Sequence, residues 1–101
     1  MNWKEIKEIY PKAFEKLRGY VHVDILYEYY DIRNLYDFFD DNNIYPYVLI
    51  RQMSEDIKKP SFHGVIEWDF NTSIETGACK TRGDAEFIIF KKSFELIEQK
   101  L

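Results

Sequence analysis

Residues 81–101 carry the pattern that most narrows the choice of fold. Phe87, Phe90, Phe94, Ile97 and Leu101 recur at 3-4-3-4 spacing, and Ala85, Ile89 and Leu96 widen the stripe. That spacing places apolar groups on one side of an α-helix. Lys91, Lys92, Glu95, Glu98 and Lys100 occupy much of the other side. Thr81 is a suitable N-cap, and Asp84 suits the positive end of the helix dipole. A helix this one-sided needs a sheet or another helix to cover it.

The preceding residues supply such a sheet. Ile44 to Arg51 predicts a strand, with Pro46 confined to a sheet edge or to the strand's start. Gln52 to Pro60 is polar and predicts a loop. Phe62 to Phe70 predicts a second strand, with Phe62, Ile66, Trp68 and Phe70 on one face and His63, Val65, Glu67 and Asp69 on the other. Asn71-Thr72 reads as a turn and Ser73 to Cys79 as the returning strand, with Gly77 marking a bulge. Residues 20–30 alternate loosely through Val21, Val23, Ile25, Tyr27 and Tyr29, an extended segment that leaves room for a fourth strand.

The chain opens on a helical pattern. Trp3, Ile6, Tyr10, Phe14 and Leu17 follow 3-4-4-3 spacing. Asn2 and Glu5 stand as a capping box. Pro11 lacks an N–H and crowds the preceding turn, so a kink or a restart is expected there. Gly19 is read as the stop. Asp31 is read as the cap of a short helix near 32–41 in which Ile32, Leu35, Phe38 and Phe39 share a face, ended by Asn42-Asn43. The expectation is one α+β domain over residues 1–101: a three-stranded antiparallel sheet, with a possible fourth strand, packed against N- and C-terminal helices.

The composition suits a folded domain, because 46% of the residues are hydrophobic and 18% aromatic. That is enough to build a core without staples. A single cysteine, Cys79, excludes a disulfide within the chain and fits a reducing compartment. No apolar run reaches signal-peptide or membrane-span length, so a cytoplasmic protein with no membrane association is expected.

The net charge of −4 is unevenly spread. Residues 20–43 hold six carboxylates and one arginine, with tyrosine and phenylalanine rings between them. Such a segment builds a negatively charged surface that suits a basic protein partner. The expected interaction surface is Asp24, Glu28, Asp31, Asp37, Asp40 and Asp41 with Tyr27, Tyr29 and Tyr30. An acidic domain repels nucleic acid unless one face is locally basic. The rival reading therefore uses Lys80, Arg82, Lys91 and Lys92 around the last helix. An edge strand and exposed tyrosines also invite homodimerisation.

Catalytic and metal-binding patterns are faint. His22, Asp24, His63, Glu67 and Cys79 are the candidate metal ligands, but no His or Cys pair has zinc-like spacing. Asp37, Asp40, Asp41, Asn42 and Asn43 have the composition of a calcium loop without its glycine or closing glutamate. Ser54, Ser61, Ser73 and Ser93 sit in no nucleophile motif, and the glycines form no phosphate loop. A non-enzymatic protein without a cofactor is expected.

Two resemblances add to this reading. The opening Asn2-Trp3-Lys4-Glu5-Ile6 and Tyr10-Pro11-Lys12-Ala13-Phe14, with the closing Thr81-Arg82-Gly83-Asp84-Ala85-Glu86 and Phe94 to Leu101, resemble small phage and prophage proteins of unknown function. That resemblance implies a cytoplasmic accessory protein of a mobile element. The order helix, three strands, helix also resembles the double-stranded-RNA-binding domain, which reads RNA shape partly through lysines at the start of its last helix. Aligned on Ala85, the family's leading lysines fall on Arg82 and Gly83 and its trailing lysine on Glu86, while Thr81 matches its capping serine. Only Arg82 keeps the charge, and residues 20–43 have no counterpart in that family. The resemblance implies the fold and argues against its RNA function.

Overall fold

The computed structural model describes residues 2–21, 32–51, 60–69 and 72–101. Among these the order is α1 (Trp3–Ile9), α2 (Pro11–Val21), α3 (Ile32–Asp41), β1 (Ile44–Arg51), β2 (Ser61–Trp68), β3 (Thr72–Cys79) and α4 (Arg82–Lys100). The strands form one antiparallel sheet in the order β1-β2-β3. The expected α+β architecture is therefore present. No fourth strand occurs among the described residues. Residues 22–30 of the expected extended segment and the Asp31 cap lie outside them.

Two local devices shape the N-terminal half. Asn2 Oδ1 accepts from the Glu5 N–H at 3.2 Å, which starts α1. Tyr10 ends it, donating its N–H to the Ile6 carbonyl at 2.8 Å. Pro11 has no N–H to extend that ladder, and its fixed φ suits the first position of a new helix. The expected restart is thus a break into two helices. The first free N–H groups of α2 belong to Lys12 and Ala13. They donate to the two oxygens of Glu98 at 3.2 and 2.7 Å. A carboxylate from α4 thereby caps α2, where its charge also meets the positive end of the helix dipole.

Gly19 does not stop α2, which continues through Val21. Its φ is not positive, and open space surrounds it. The extra turn sets the Tyr20 ring 5.6 Å from Phe38. The contact across to α3 outweighs the weak helix preference of one glycine.

α3 turns Leu35, Phe38 and Phe39 into the core. Asn42 Nδ2 donates to the Phe38 carbonyl at 2.7 Å, and Asn43 adopts a left-handed φ of 60° that turns the chain into β1. Asparagine tolerates that conformation better than most residues, which is why the pair ends the helix as expected. The α3 rings meet those of α4. Phe39 lies 5.1 Å from Phe94 and 5.6 Å from Phe90, and Trp3 stands edge-on to Phe94 at 6.0 Å. Truncating a buried ring of this kind costs about 3–5 kcal/mol.

The sheet presents Ile44, Pro46 and Val48 of β1 beside Trp68, Ile66 and Gly64 of β2, facing the helices. At Gly64 the approach is closest. An added Cβ there would overlap Ile89 Cγ2 and stand 3.2 Å from the Ala85 carbonyl, both on α4. The register passes from His63↔Ala78 to Val65↔Glu75, so Thr76 and Gly77 together face Gly64. This is the bulge expected at Gly77. Thr76 Oγ1 repairs the ladder by accepting from the Gly64 N–H at 2.9 Å and donating to its carbonyl at 3.2 Å. Phe87 and Leu101 leave the expected stripe of α4 and are exposed. Ala85, Ile89, Phe90 and Phe94 define the buried face instead, and Lys91 Nζ covers the Phe87 ring at 5.5 Å.

Gly64→Ala is expected to destabilise the fold by about 1–3 kcal/mol through overpacking. Gly19→Ala, with open space around it, is expected to stabilise it by about 0.5–1 kcal/mol. Urea denaturation of both variants checks the contrast, and equal midpoints would contradict the close seating of α4 on β2.

Candidate functional site

The inward set on α3 fixes what faces outward. With Leu35, Phe38 and Phe39 buried, the 3.6-residue period turns Asp37, Asp40 and Asp41 to the exposed side. The three carboxylates share one local field. Partial burial pushes the Asp40 carboxyl up, and the charges of Asp37 and Asp41 push it further. Hydrogen bonding to Asp41 holds the Tyr20 phenol above its ordinary value, and the charges of Asp37 and Asp40 add to the effect.

Two lysines border one edge of this surface. Lys16 and Lys100 line a depression with Asp41, Asn42 and Asn43. Lys16 Nζ is committed to Asn42 Oδ1 at 2.6 Å. Asp37, Asp40 and Asp41 form no ion pair with another described residue. Of the expected interaction surface, these three aspartates are brought together. Asp24, Glu28, Asp31, Tyr27, Tyr29 and Tyr30 lie outside the described residues.

The basic candidates are not gathered in the same way. Lys91 Nζ donates to Glu5 Oε1 at 2.9 Å, which holds the ammonium above its ordinary value. Lys92 Nζ donates to Glu95 Oε2 at 3.0 Å. Arg82 and Lys91 are nine residues apart on one helix, which sets them about half a turn out of phase. Lys80 precedes the helix. Near the start of α4, Tyr36 donates to Glu86 Oε2 at 2.8 Å. Burial, then this bond, pushes its phenol well up, while the nearby Arg82 charge pulls it back in part.

The second polar constellation lies on the sheet face turned away from the helices. Tyr45, Tyr47 and Leu49 are exposed there along β1. Tyr47 donates to Glu67 Oε1 at 2.9 Å, and this bond raises its phenol. Glu67 is thus turned to Tyr47 and does not join His63, its expected partner in the metal-ligand set. Among the described residues no three His, Cys, Asp or Glu side chains converge to hold a metal ion. His22 lies outside them.

His63 meets other groups. Its Nε2 is 2.9 Å from Ser61 Oγ, and its Nδ1 is 3.4 Å from Glu75 Oε1. Arg51 Nη2 lies 3.2 Å from the same Glu75 oxygen. The His63 side chain keeps only 10% of its surface exposed. Alternation along β2 already puts Ser61 beside His63. Glu75 and Arg51 come from the neighbouring strands, so only the register brings them in.

No helix among the described residues is long and apolar enough to cross a membrane. No protein family, curated protein or solved structure shows a significant match to the chain.

The crowding of charge at Asp40 has a pH signature. Its folded pKa lies above the ordinary 3.8, so the folded chain holds this proton more readily than the unfolded chain. The resulting stability is full below the ordinary value and is lost as pH rises through the folded one. Asp40→Asn is therefore expected to gain a few tenths of a kcal/mol over wild type at about pH 7, small because exposed charges are screened. The gain should vanish at about pH 3 and shrink in high salt. Denaturation at both pH values checks this. A variant less stable at neutral than at acid pH, relative to wild type, would contradict it.

Proposed function

We propose that this protein is an interaction module that receives a basic protein segment on the acidic surface of α3. The observation that carries the reading is the gathering of Asp37, Asp40 and Asp41 on one outward face, near enough for Asp37 and Asp41 to raise Asp40. Like charges held together repel, and a cationic partner relieves that repulsion as it docks. Tyr20 at the margin adds a ring with a polar tip, a side chain suited to an interface. The proposed surface continues into Asp24, Glu28 and Asp31 with Tyr27, Tyr29 and Tyr30, which belong to the same acidic stretch of sequence.

The reading also assigns a cytoplasmic setting, supported by the solitary cysteine. An accessory role in a phage or other mobile element is supported by the resemblance at the two ends of the chain. The nucleic-acid alternative is weaker, because Lys91 and Lys92 already answer Glu5 and Glu95.

An array of synthetic peptides, graded from acidic to lysine- and arginine-rich, tests the reading directly. Wild type is expected to bind the basic peptides, and binding should weaken with added salt. Replacing Asp37, Asp40 and Asp41 together by asparagine is expected to reduce that binding by about tenfold or more, roughly 1.4 kcal/mol. Binding that ignores peptide charge, or that survives the triple replacement, counts against the proposal. A salt-sensitive shift of RNA or DNA in its place would favour the alternative.

A further inference from the structure

We infer that Ser61 is an activated nucleophile, set on the open face of the sheet by His63, Glu75 and Arg51, that accepts acyl groups from small electrophilic esters. This site is separate from the acidic surface of α3, and neither reading depends on the other. Ser61 and His63 are two residues apart on β2 and so share a face. Arg51 is the β1 partner of Ser61 in register, and Glu75 is the β3 partner of Val65. The guanidinium reaches across the sheet to Glu75, 3.2 Å from Oε1 and 3.5 Å from Oε2. Leu49 and Ala78 flank His63 from the two neighbouring strands.

The partners set the direction of the proton chain. A carboxylate accepts, and Glu75 Oε1 at 3.4 Å from Nδ1 favours the tautomer with its hydrogen on that nitrogen. Nε2 then presents its lone pair to Ser61 Oγ at 2.9 Å. The rival acceptor for the serine proton is the Arg51 carbonyl, at the longer distance of 3.3 Å. A hydroxyl on a base that is itself oriented by a third group is the arrangement nucleophilic catalysis uses. His63 is shielded from water, while Ser61 remains partly exposed to a reagent from solvent.

The chemistry balances within these groups and the ester. Ser61 Oγ forms a bond to the acyl carbon as its proton passes to His63 Nε2. The ester C–O bond breaks, and the leaving oxygen takes that proton. Glu75 steadies the imidazolium between the two transfers. Water then forms a bond to the acyl carbon as its proton passes to the same nitrogen. The Oγ–acyl bond breaks, and Oγ takes that proton, which releases the acid and restores the serine. A positioned general base of this kind accelerates attack by about 10²–10⁴-fold.

A fluorophosphonate, which replaces the ester by a P–F bond, tests the inference on the full chain with the adduct located by mass spectrometry. Ser73 on β3, exposed on the same face, is the internal reference. The expected result is an adduct on Ser61 that forms at least about tenfold faster than on Ser73, and more slowly in acid, as attack assisted by a general base does. His63→Gln should slow it by about 100-fold, and Glu75→Gln by a smaller factor. p-Nitrophenyl acetate should leave an acetyl group on the same serine. The pH dependence and the Ser73 ratio are read on wild type, so they hold even if a variant fails to fold. No adduct on Ser61, equal labelling of Ser61 and Ser73, or a rate indifferent to pH and to His63→Gln would overturn the inference.

Discussion

Gly64 has no side chain, and α4 uses that space. Ile89 and the Ala85 carbonyl sit where a Cβ would otherwise stand, so the helix lies directly on the central strand. The other contacts of α4 depend on that seat. Phe90 and Phe94 reach the rings of α3, Lys91 reaches Glu5 of α1, and Glu98 reaches the bare N–H groups of α2. Lifting α4 off the sheet would strain all of these at once. One helix therefore ties the N-terminal helices to a sheet that follows them in sequence.

The surface chemistry follows from the same packing. Phe38 and Phe39 must lie against Phe94 for the core to close. Helical period then leaves Asp37, Asp40 and Asp41 no inward position. Burial and mutual repulsion raise Asp40, a cost borne by the fold that a cationic neighbour would offset. The sheet works differently. Its inward face is covered by α4, and its outward face keeps Tyr45, Tyr47 and the polar chain from Ser61 to Arg51.

Much of this was legible in the residues themselves. The spacing through Phe90, Phe94 and Ile97 gave α4, alternation gave β2, and Pro11 gave the break between α1 and α2. Each of those signals is local. Gly19 misled because its effect on helix propensity is smaller than the gain from packing Tyr20 on Phe38. Phe87 misled because a stripe wider than the contact zone leaves some of its members in solvent. The cap that Glu98 places on α2 spans almost the whole chain, and no local pattern announces it. The His63 surroundings were hidden for the same reason. Sequence alternation offered Glu67, but strand register supplied Glu75 and Arg51. The acidic stretch was plain in composition, while its convergence on one side of α3 required the buried rings to be placed first.

Burying Leu35, Phe38 and Phe39 turns Asp37, Asp40 and Asp41 outward, and we propose that this acidic face is a docking surface. Amide chemical-shift mapping during titration with a lysine-rich peptide examines it most directly. The account predicts shifts concentrated on Ile32 to Asp41 and on the adjoining turn of α2 around Tyr20, fading as salt is added. Shifts centred on the strands or on the start of α4, or none at peptide concentrations that saturate other acidic domains, would contradict it.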